Sequence, residues 1–163
     1  MNKNFYFKIV LAALFVLLTQ IFIPVITFYN FRFAPDILII FLSYIGLYYG
    51  RVLTIIIGFL LGLSQDLITQ LELMGAMAFT KSVIGFCLGT LNLYPNVWSG
   101  RFKLFFIFIM YNFHFFIFNF IKFNGLKIES LIVSKIIIIN SLISFVILII
   151  IDKILLDGVI AKK

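Results

Sequence analysis

Two stretches of the sequence combine glycines at four-residue spacing with one charged residue. The first contains Gly58, Gly62 and Asp66, and the second contains Lys81, Gly85 and Gly89. Residues at positions i, i+4 and i+8 lie on nearly one face of an α-helix, so each stretch presents two small residues and one charge. In a membrane, small residues let helices approach closely, and a charged side chain needs a partner. We therefore expect helix packing with one ion pair.

The two stretches are mirror images of each other in sequence order. If the chain folds back at a turn around Met74, Asp66 lies opposite Lys81. The same register places Gly62 opposite Gly85 and Gly58 opposite Gly89. Two roles stay open for the predicted pair. It sets the packing and register of the helices, or it also engages a partner or ligand.

Other chemistry has weaker support in the sequence. Acid–base catalysis with Asp66 needs a second carboxylate, and Asp36 and Glu72 are expected at helix ends. The sequence has no His-Glu-x-x-His helix, Gly-x-Ser-x-Gly motif or Gly-rich phosphate loop. His114 lies in an apolar stretch, where an interhelical hydrogen bond is more typical than a metal site. We therefore expect no enzymatic activity, no cofactor and no metal. A proton or ion carrier that uses Asp66 is disfavoured by its predicted pairing.

The composition indicates which elements must position these residues. Of the 163 residues, 64% are hydrophobic and 12% are charged, and the mean hydropathy is +1.22. These values exclude most soluble enzymes and predict an all-α polytopic integral membrane protein, because a spanning helix needs about 20 mostly apolar residues. We predict a single domain, residues 1–163, with an uncleaved first span and six transmembrane helices. The predicted spans are 8–28, 36–50, 53–70, 75–93, 103–122 and 131–151.

The distribution of basic residues predicts the orientation. The chain carries 13 Lys and Arg, 6 Asp and Glu, and a net charge of +7. The basic residues are scattered without a stripe or an aromatic RNA-binding motif, so we expect no nucleic-acid partner. Lys and Arg in short loops favour the cytoplasmic side. An orientation with both termini in the cytoplasm places there Lys3, Lys8, Arg51, Arg101, Lys103, Lys153, Lys162 and Lys163, and leaves outside only Arg32, Lys122 and Lys127.

The region from position 35 to position 89 resembles the rod shape-determining protein MreD family. Members have a Pro-Asp at the start of the second span, a Gly-x-x-x-Gly followed by Asp at the end of the third, and Gly-Ala after the next turn. The matching residues here are Pro35 and Asp36, Gly58 and Gly62, Gln65 and Asp66, and Gly75 and Ala76. Lys81 and Gly85 fit members with Lys-x-x-x-Gly. The motifs cover about a third of the chain.

The resemblance implies a non-enzymatic component of the cell-elongation machinery in the bacterial inner membrane. Such a protein scaffolds or regulates MreC, with MreB, RodA and the elongation transpeptidase as further partners. It would maintain cell shape through peptidoglycan synthesis without doing chemistry itself. Asp66, Lys81 and the paired glycines would then shape the bundle for a partner's span.

An alternative comes from the binding subunits of energy-coupling-factor vitamin transporters. These subunits also have six spans, are rich in glycine, and look related in fold to the MreD family. A subunit of this kind would need a polar substrate pocket near its outer end. The polar candidates at that end are Asp66, Gln70, Glu72, Lys81 and Lys135.

Overall fold

The computed structural model describes residues 3–23, 26–28, 31–33, 35–69, 71–94, 97–123, 130–155, 158 and 160. Within these residues the chain forms five α-helices, one two-stranded hairpin and one 3₁₀ turn of three residues. In chain order the elements are α1 (Lys3–Phe22), β1 (Ile26–Phe28), β2 (Phe31–Phe33), α2 (Ile37–Thr69), the 3₁₀ turn (Leu71–Leu73), α3 (Ala76–Leu93), α4 (Gly100–Lys122) and α5 (Ser130–Leu155).

Four of these helices, α2 to α5, are long and apolar enough to cross a membrane. The apolar part of α1 is shorter and covers Phe7–Phe22. Large apolar side chains on the outer faces are highly exposed, such as Phe15, Val52 and Ile154. Exposed apolar area on this scale is unfavourable in water and favourable against lipid tails. The protein is therefore an α-helical multi-pass membrane protein.

The first predicted span ends earlier than expected. We predicted a helix over 8–28, but α1 ends at Phe22 and the chain continues into an antiparallel hairpin that pairs Ile26 with Phe33. The sequence has Pro24 just after this end, and a proline disfavours helical conformation at the residue before it. Ile26 and Thr27 are β-branched and favour the strand. The hairpin's second strand contacts α5.

Helix α2 contains a complete reversal at Gly50. This glycine has φ 77° and ψ −174°, which is not helical. The ammonium of Lys81 contacts both Asp36 and Gln65, which a continuous helix would hold roughly 40 Å apart at 1.5 Å per residue. The two parts of α2, a first arm over 37–49 and a second arm over 51–69, are therefore antiparallel. The predicted turn at Gly50-Arg51 is therefore present, inside α2.

Side chains from two segments stabilise the reversal. Asn92 of α3 donates from Nδ2 to the carbonyl of Leu47, at 2.7 Å. Thr54 donates from Oγ1 to the carbonyl of Gly50, at 2.6 Å. Both acceptors lie at or near the end of the first arm. These two backbone carbonyls therefore receive side-chain donors from within the protein.

Successive helical segments alternate in direction. Contacts along the first arm of α2 show this, because each neighbouring helix touches the arm at two positions, and the order of these positions gives the relative direction. Ile9 of α1 lines one groove with Tyr48 near the end of the arm, and Gln20 of α1 binds Ile37 at its start. Helix α4 is also antiparallel to the arm, since Tyr111 contacts Ser43 and His114 contacts Asp36. Helix α5 is parallel to the arm, since Ser144 contacts Asp36 and Asp152 contacts Tyr44.

Helix α3 packs between the two arms of α2 in a register that differs from the predicted one. Gly58 lies against Lys81 and Gly85 lies against Thr54. We predicted Gly58 opposite Gly89 and Gly62 opposite Gly85, so the prediction is wrong by about two helical turns. The fold-back is centred near Thr69, midway in sequence between the residues that these contacts pair.

The backbone at Gly50 gives a stability prediction. Its φ and ψ lie in a region that is essentially restricted to glycine, and a side chain there costs about 1–3 kcal/mol. Gly75 has φ 95° and ψ −14°, close to the left-handed helical region, and an added Cβ meets no atom within 4 Å. Asparagine tolerates that region. We expect Gly50→Asn to destabilise the protein and Gly75→Asn to change its stability little.

Unfolding of the purified protein in mixed micelles with increasing SDS measures both variants. Equal losses of stability in the two variants would contradict a glycine-specific reversal at position 50.

Candidate functional site

A polar cluster is buried in the bundle at the end where α2 begins. Its centre is the ammonium of Lys81, which is fully buried. Lys81 forms an ion pair with Asp36 Oδ2 and donates to Gln65 Oε1 at 2.8 Å. Met77 Sδ lies 3.8 Å from the same ammonium. A lysine inside the membrane bundle is thus neutralised by one acid and surrounded by acceptors.

Asp36 is placed by the start of α2. It follows Pro35, and its Oδ1 accepts a hydrogen bond from the backbone N–H of Ile39 at 3.2 Å. This is the N-cap arrangement, in which a short acidic side chain satisfies a free donor of the first turn. The backbone N–H of Asp36 donates to Ser144 Oγ on α5, at 3.2 Å. One carboxylate therefore caps its own helix and binds Lys81 of α3.

Asp66 has a different role from the one predicted. The predicted ion pair of Asp66 with Lys81 is wrong. The Asp66 carboxylate accepts hydrogen bonds from the backbone N–H groups of Gly75, Met77 and Ala78, at 3.0 to 3.1 Å. It therefore caps the start of α3 from the facing helix. The positive end of the helix dipole and three free donors stabilise this carboxylate without a cation.

The glycines of both stripes lie at close backbone contacts. A Cβ built on Gly62 would lie 2.5 Å from Ala78 Cα, and one on Gly89 would lie 2.5 Å from Arg51 Cα. At Gly58 the nearest atom is Lys81 O at 2.7 Å, and at Gly85 it is Thr54 O at 2.8 Å. None of these positions accepts a side chain without separating α2 and α3. The contact between helices therefore depends on small residues, as expected in lipid.

His114 is the member of the cluster contributed by α4. Its Nε2 lies 3.2 Å from Asp36 Oδ2, although the N–H direction is out of line for a hydrogen bond. The ring is fully buried, and neither ring nitrogen has a hydrogen-bond partner among the described residues. On the next turn inwards, Tyr111 and Ser43 share a hydroxyl–hydroxyl hydrogen bond of 2.9 Å. These contacts join α4 to the first arm of α2.

Sequence reasoning missed two members of this cluster as partners of Lys81. Asp36 was expected only at a helix start, and Gln65 was noted only beside Asp66. One signal in the sequence could have indicated Asp36. Asp66 lies close in sequence to the helix start at Gly75, which it could cap, and Lys81 then needs another acid as its partner. Among the described residues, no group of three His, Cys, Asp or Glu side chains could hold a metal ion. The two oppositely charged members that meet, Lys81 and Asp36, neutralise each other, which indicates a structural role for this pair.

The pairing of Asp36 with Lys81 gives a second prediction. Removal of one partner from a buried pair costs about 3–5 kcal/mol, because the other charge remains buried and unpaired. We expect Lys81→Met and Asp36→Asn each to destabilise the protein strongly. The double variant should be more stable than the sum of the two losses predicts. A double-mutant cycle in the SDS unfolding assay measures this coupling, and additive losses would contradict the pair.

The cap formed by Asp66 gives a third prediction. Asp66→Leu removes the acceptor for three backbone donors, and the loss of an N-cap costs about 0.5–2 kcal/mol, with burial adding to it. We expect a clear loss of stability with little coupling to Lys81→Met. The matched comparison is the cycle for Asp36 and Lys81. A coupling energy as large for Asp66 as for Asp36 would restore the pairing predicted from sequence.

Comparison of the chain with protein-family models, with curated proteins and with solved structures finds no match. The resemblance to the MreD family therefore depends on the short motifs around Pro35, Gly62 and Gly75. In the structure, these motif residues lie at the two helix starts and at the interface between α2 and α3.

Proposed function

We propose that this chain is a non-enzymatic component of the bacterial cell-elongation machinery that scaffolds or regulates MreC and the peptidoglycan synthases. The observation that carries the proposal is that the motif residues form one structural unit. Asp36 and Asp66 cap two helix starts, Lys81 binds Asp36 and Gln65, and the glycines bring α2 and α3 together. The motif thus builds a stable bundle, which is what a scaffold needs.

The alternation of helical segments supports a six-span topology. With the two arms of α2 counted separately, the part of the chain that the structure describes has six helical segments of alternating direction, which brings the start of α1 and the end of α5 to one side. Arg51 and Arg101 lie at this same end, beside the reversal and at the start of α4. The positive-inside rule then favours cytoplasmic termini in the bacterial inner membrane. The buried cluster lies at the opposite, outer end.

The first arm of α2 is short for a membrane crossing. Its 13 residues extend about 20 Å, against a hydrocarbon core of about 30 Å. Asp36 therefore begins its helix below the outer surface, where it is buried by α3, α4 and α5. Non-helical backbone at such depth is tolerated when protein covers it. This geometry explains why the polar cluster is inside the bundle.

The polar side chains of the cluster are used for contacts within the protein. Lys81 is bound by Asp36 and Gln65, and Asp66 is bound by backbone donors. Large apolar side chains cover the outside. The polar side chains inside thus hold the bundle together, and the apolar side chains outside are suited to contact with another apolar helix. This arrangement favours binding of a partner's span over catalysis.

The alternative, a vitamin-binding subunit, has less support. A groove of about 310 Å³ lies between α1 and the first arm of α2, near the reversal at Gly50. It is lined by Lys8, Ile9, Ala12, Phe41, Tyr44, Ile45, Tyr48 and Tyr49. In the proposed orientation this groove is at the cytoplasmic end, whereas such a subunit needs its pocket at the outer end.

Cross-linking and co-purification of the tagged protein from native membranes test the proposal. We expect mass spectrometry to identify a single-span periplasmic coiled-coil protein together with RodA and its transpeptidase. A tagged membrane protein of similar size and expression level is the control for non-specific capture. The Lys81→Met variant should lose these partners, because its bundle is destabilised.

Recovery of transporter ATPases instead would reject the elongation function and favour the vitamin-binding subunit. A preparation that contains neither set, from cells that express both, would reject both functions.

A further inference from the structure

Three buried polar atoms near the outer end have no hydrogen-bond partner among the described residues. They are Nδ1 and Nε2 of His114 and Oδ1 of Asn140. His114 is fully buried and Asn140 is 7% exposed. An unpaired buried polar group costs about 1–3 kcal/mol, so native proteins satisfy nearly all of them with protein or ordered water. Nε2 of His114 has the Asp36 carboxylate 3.2 Å away, so Nδ1 of His114 and Oδ1 of Asn140 are the two acceptors that remain to be explained.

The helix register places Asn140 at the level of His114. Ser141 of α5 donates to Asn112 Oδ1 of α4 at 2.9 Å, and the rings of Phe108 and Phe145 are 5.1 Å apart. These two antiparallel pairs set position 139 opposite position 114. Asn140 also lies one turn from Ser144, which accepts from the N–H of Asp36. Asp36 is the residue beside His114.

The protonation of the imidazole defines what the site can bind. Asp36 Oδ2 lies 3.2 Å from Nε2, and a carboxylate beside one ring nitrogen favours the tautomer with the proton on that nitrogen. Nδ1 then carries a lone pair and is an acceptor. Asn140 Oδ1 is also an acceptor. A ligand that satisfies both must be small and must supply two donors.

We propose that His114 and Asn140 bind an internal water molecule between α4 and α5, which donates one hydrogen to Nδ1 and the other to Oδ1. A buried water needs two to four polar partners, and these two residues provide two. Ammonium has suitable donors, but its charge is unfavourable beside the Lys81 ammonium, which already occupies the Asp36 carboxylate. The site goes beyond the proposed scaffold function and does not depend on it.

His114 is the only histidine in the chain, so its NMR signals need no assignment. The experiment uses the full-length protein with ¹⁵N-labelled histidine in lipid bilayers, studied by magic-angle-spinning NMR. We expect one neutral tautomer with the proton on Nε2, and magnetisation transfer from water to the ring. A proton on Nδ1, or a ring that receives no transfer from water, would overturn the proposal.

Two variants identify the second partner of the water. Asn140→Leu removes the acceptor and should abolish most of the transfer from water to His114. Asn112→Leu is the matched control, because its amide already has protein partners at Phe108 O and Ser141 Oγ. It should keep the transfer. Equal transfer in Asn140→Leu and the wild type would overturn the role of Asn140. If Asn140→Leu does not fold, the wild-type spectrum still decides whether the water is present.

Discussion

Neutralisation of one lysine inside the membrane bundle is the constraint on which the rest of the structure depends. Lys81 has no exposed surface, and leaving a buried charge of this kind unpaired costs about 3–5 kcal/mol. Its partner Asp36 lies just before the first arm of α2, whereas Gln65, which also binds the ammonium, lies on the second arm. Both arms therefore converge on α3, and the reversal at Gly50 brings them there.

Two acids, Asp36 and Asp66, cap helix starts, and their different contacts explain why Lys81 pairs with only one of them. Asp66 was the predicted partner of Lys81, since both lie on glycine-containing faces that look complementary. The structure instead gives Asp66 three backbone donors and gives Lys81 the carboxylate of Asp36. A helix start can stabilise a carboxylate by its N–H groups and dipole, but it offers nothing to a lysine. Asp66 is therefore stabilised by backbone donors of α3, and Asp36 is the acid that pairs with Lys81.

The sequence allowed prediction of much of the fold but less of the site. Apolar runs and turn residues located α2 to α5 and the turn at Gly50, because lipid requires long apolar helices. They did not locate the end of α1, where three-residue strands follow. The glycine stripes indicated that α2 and α3 pack closely, which Gly58 and Gly85 now show. Their register could not be derived by pairing glycine with glycine, since each glycine packs against the backbone of another residue type, as Gly62 does against Ala78 and Gly89 against Arg51.

The attachments between helices determine which segment remains free to meet another protein. Helix α5 is joined to the first arm of α2 through Ser144 at one end and Tyr44 with Asp152 at the other. Asp152 also accepts from the N–H of Ile160, so the backbone at position 160 is held against the same carboxylate.

Helix α1 has fewer restraints. Gln20 binds the backbone on both sides of Asp36, at Pro35 O and Ile37 N, and Ile9 packs among apolar side chains. Most of its other side chains are exposed, and the groove lies between it and α2. A partner's span that approaches from the lipid would displace only lipid along α1. Entry between α2 and α3 would require separation of backbones that are in direct contact. Under the proposed function, α1 is therefore the helix along which we expect the partner to bind.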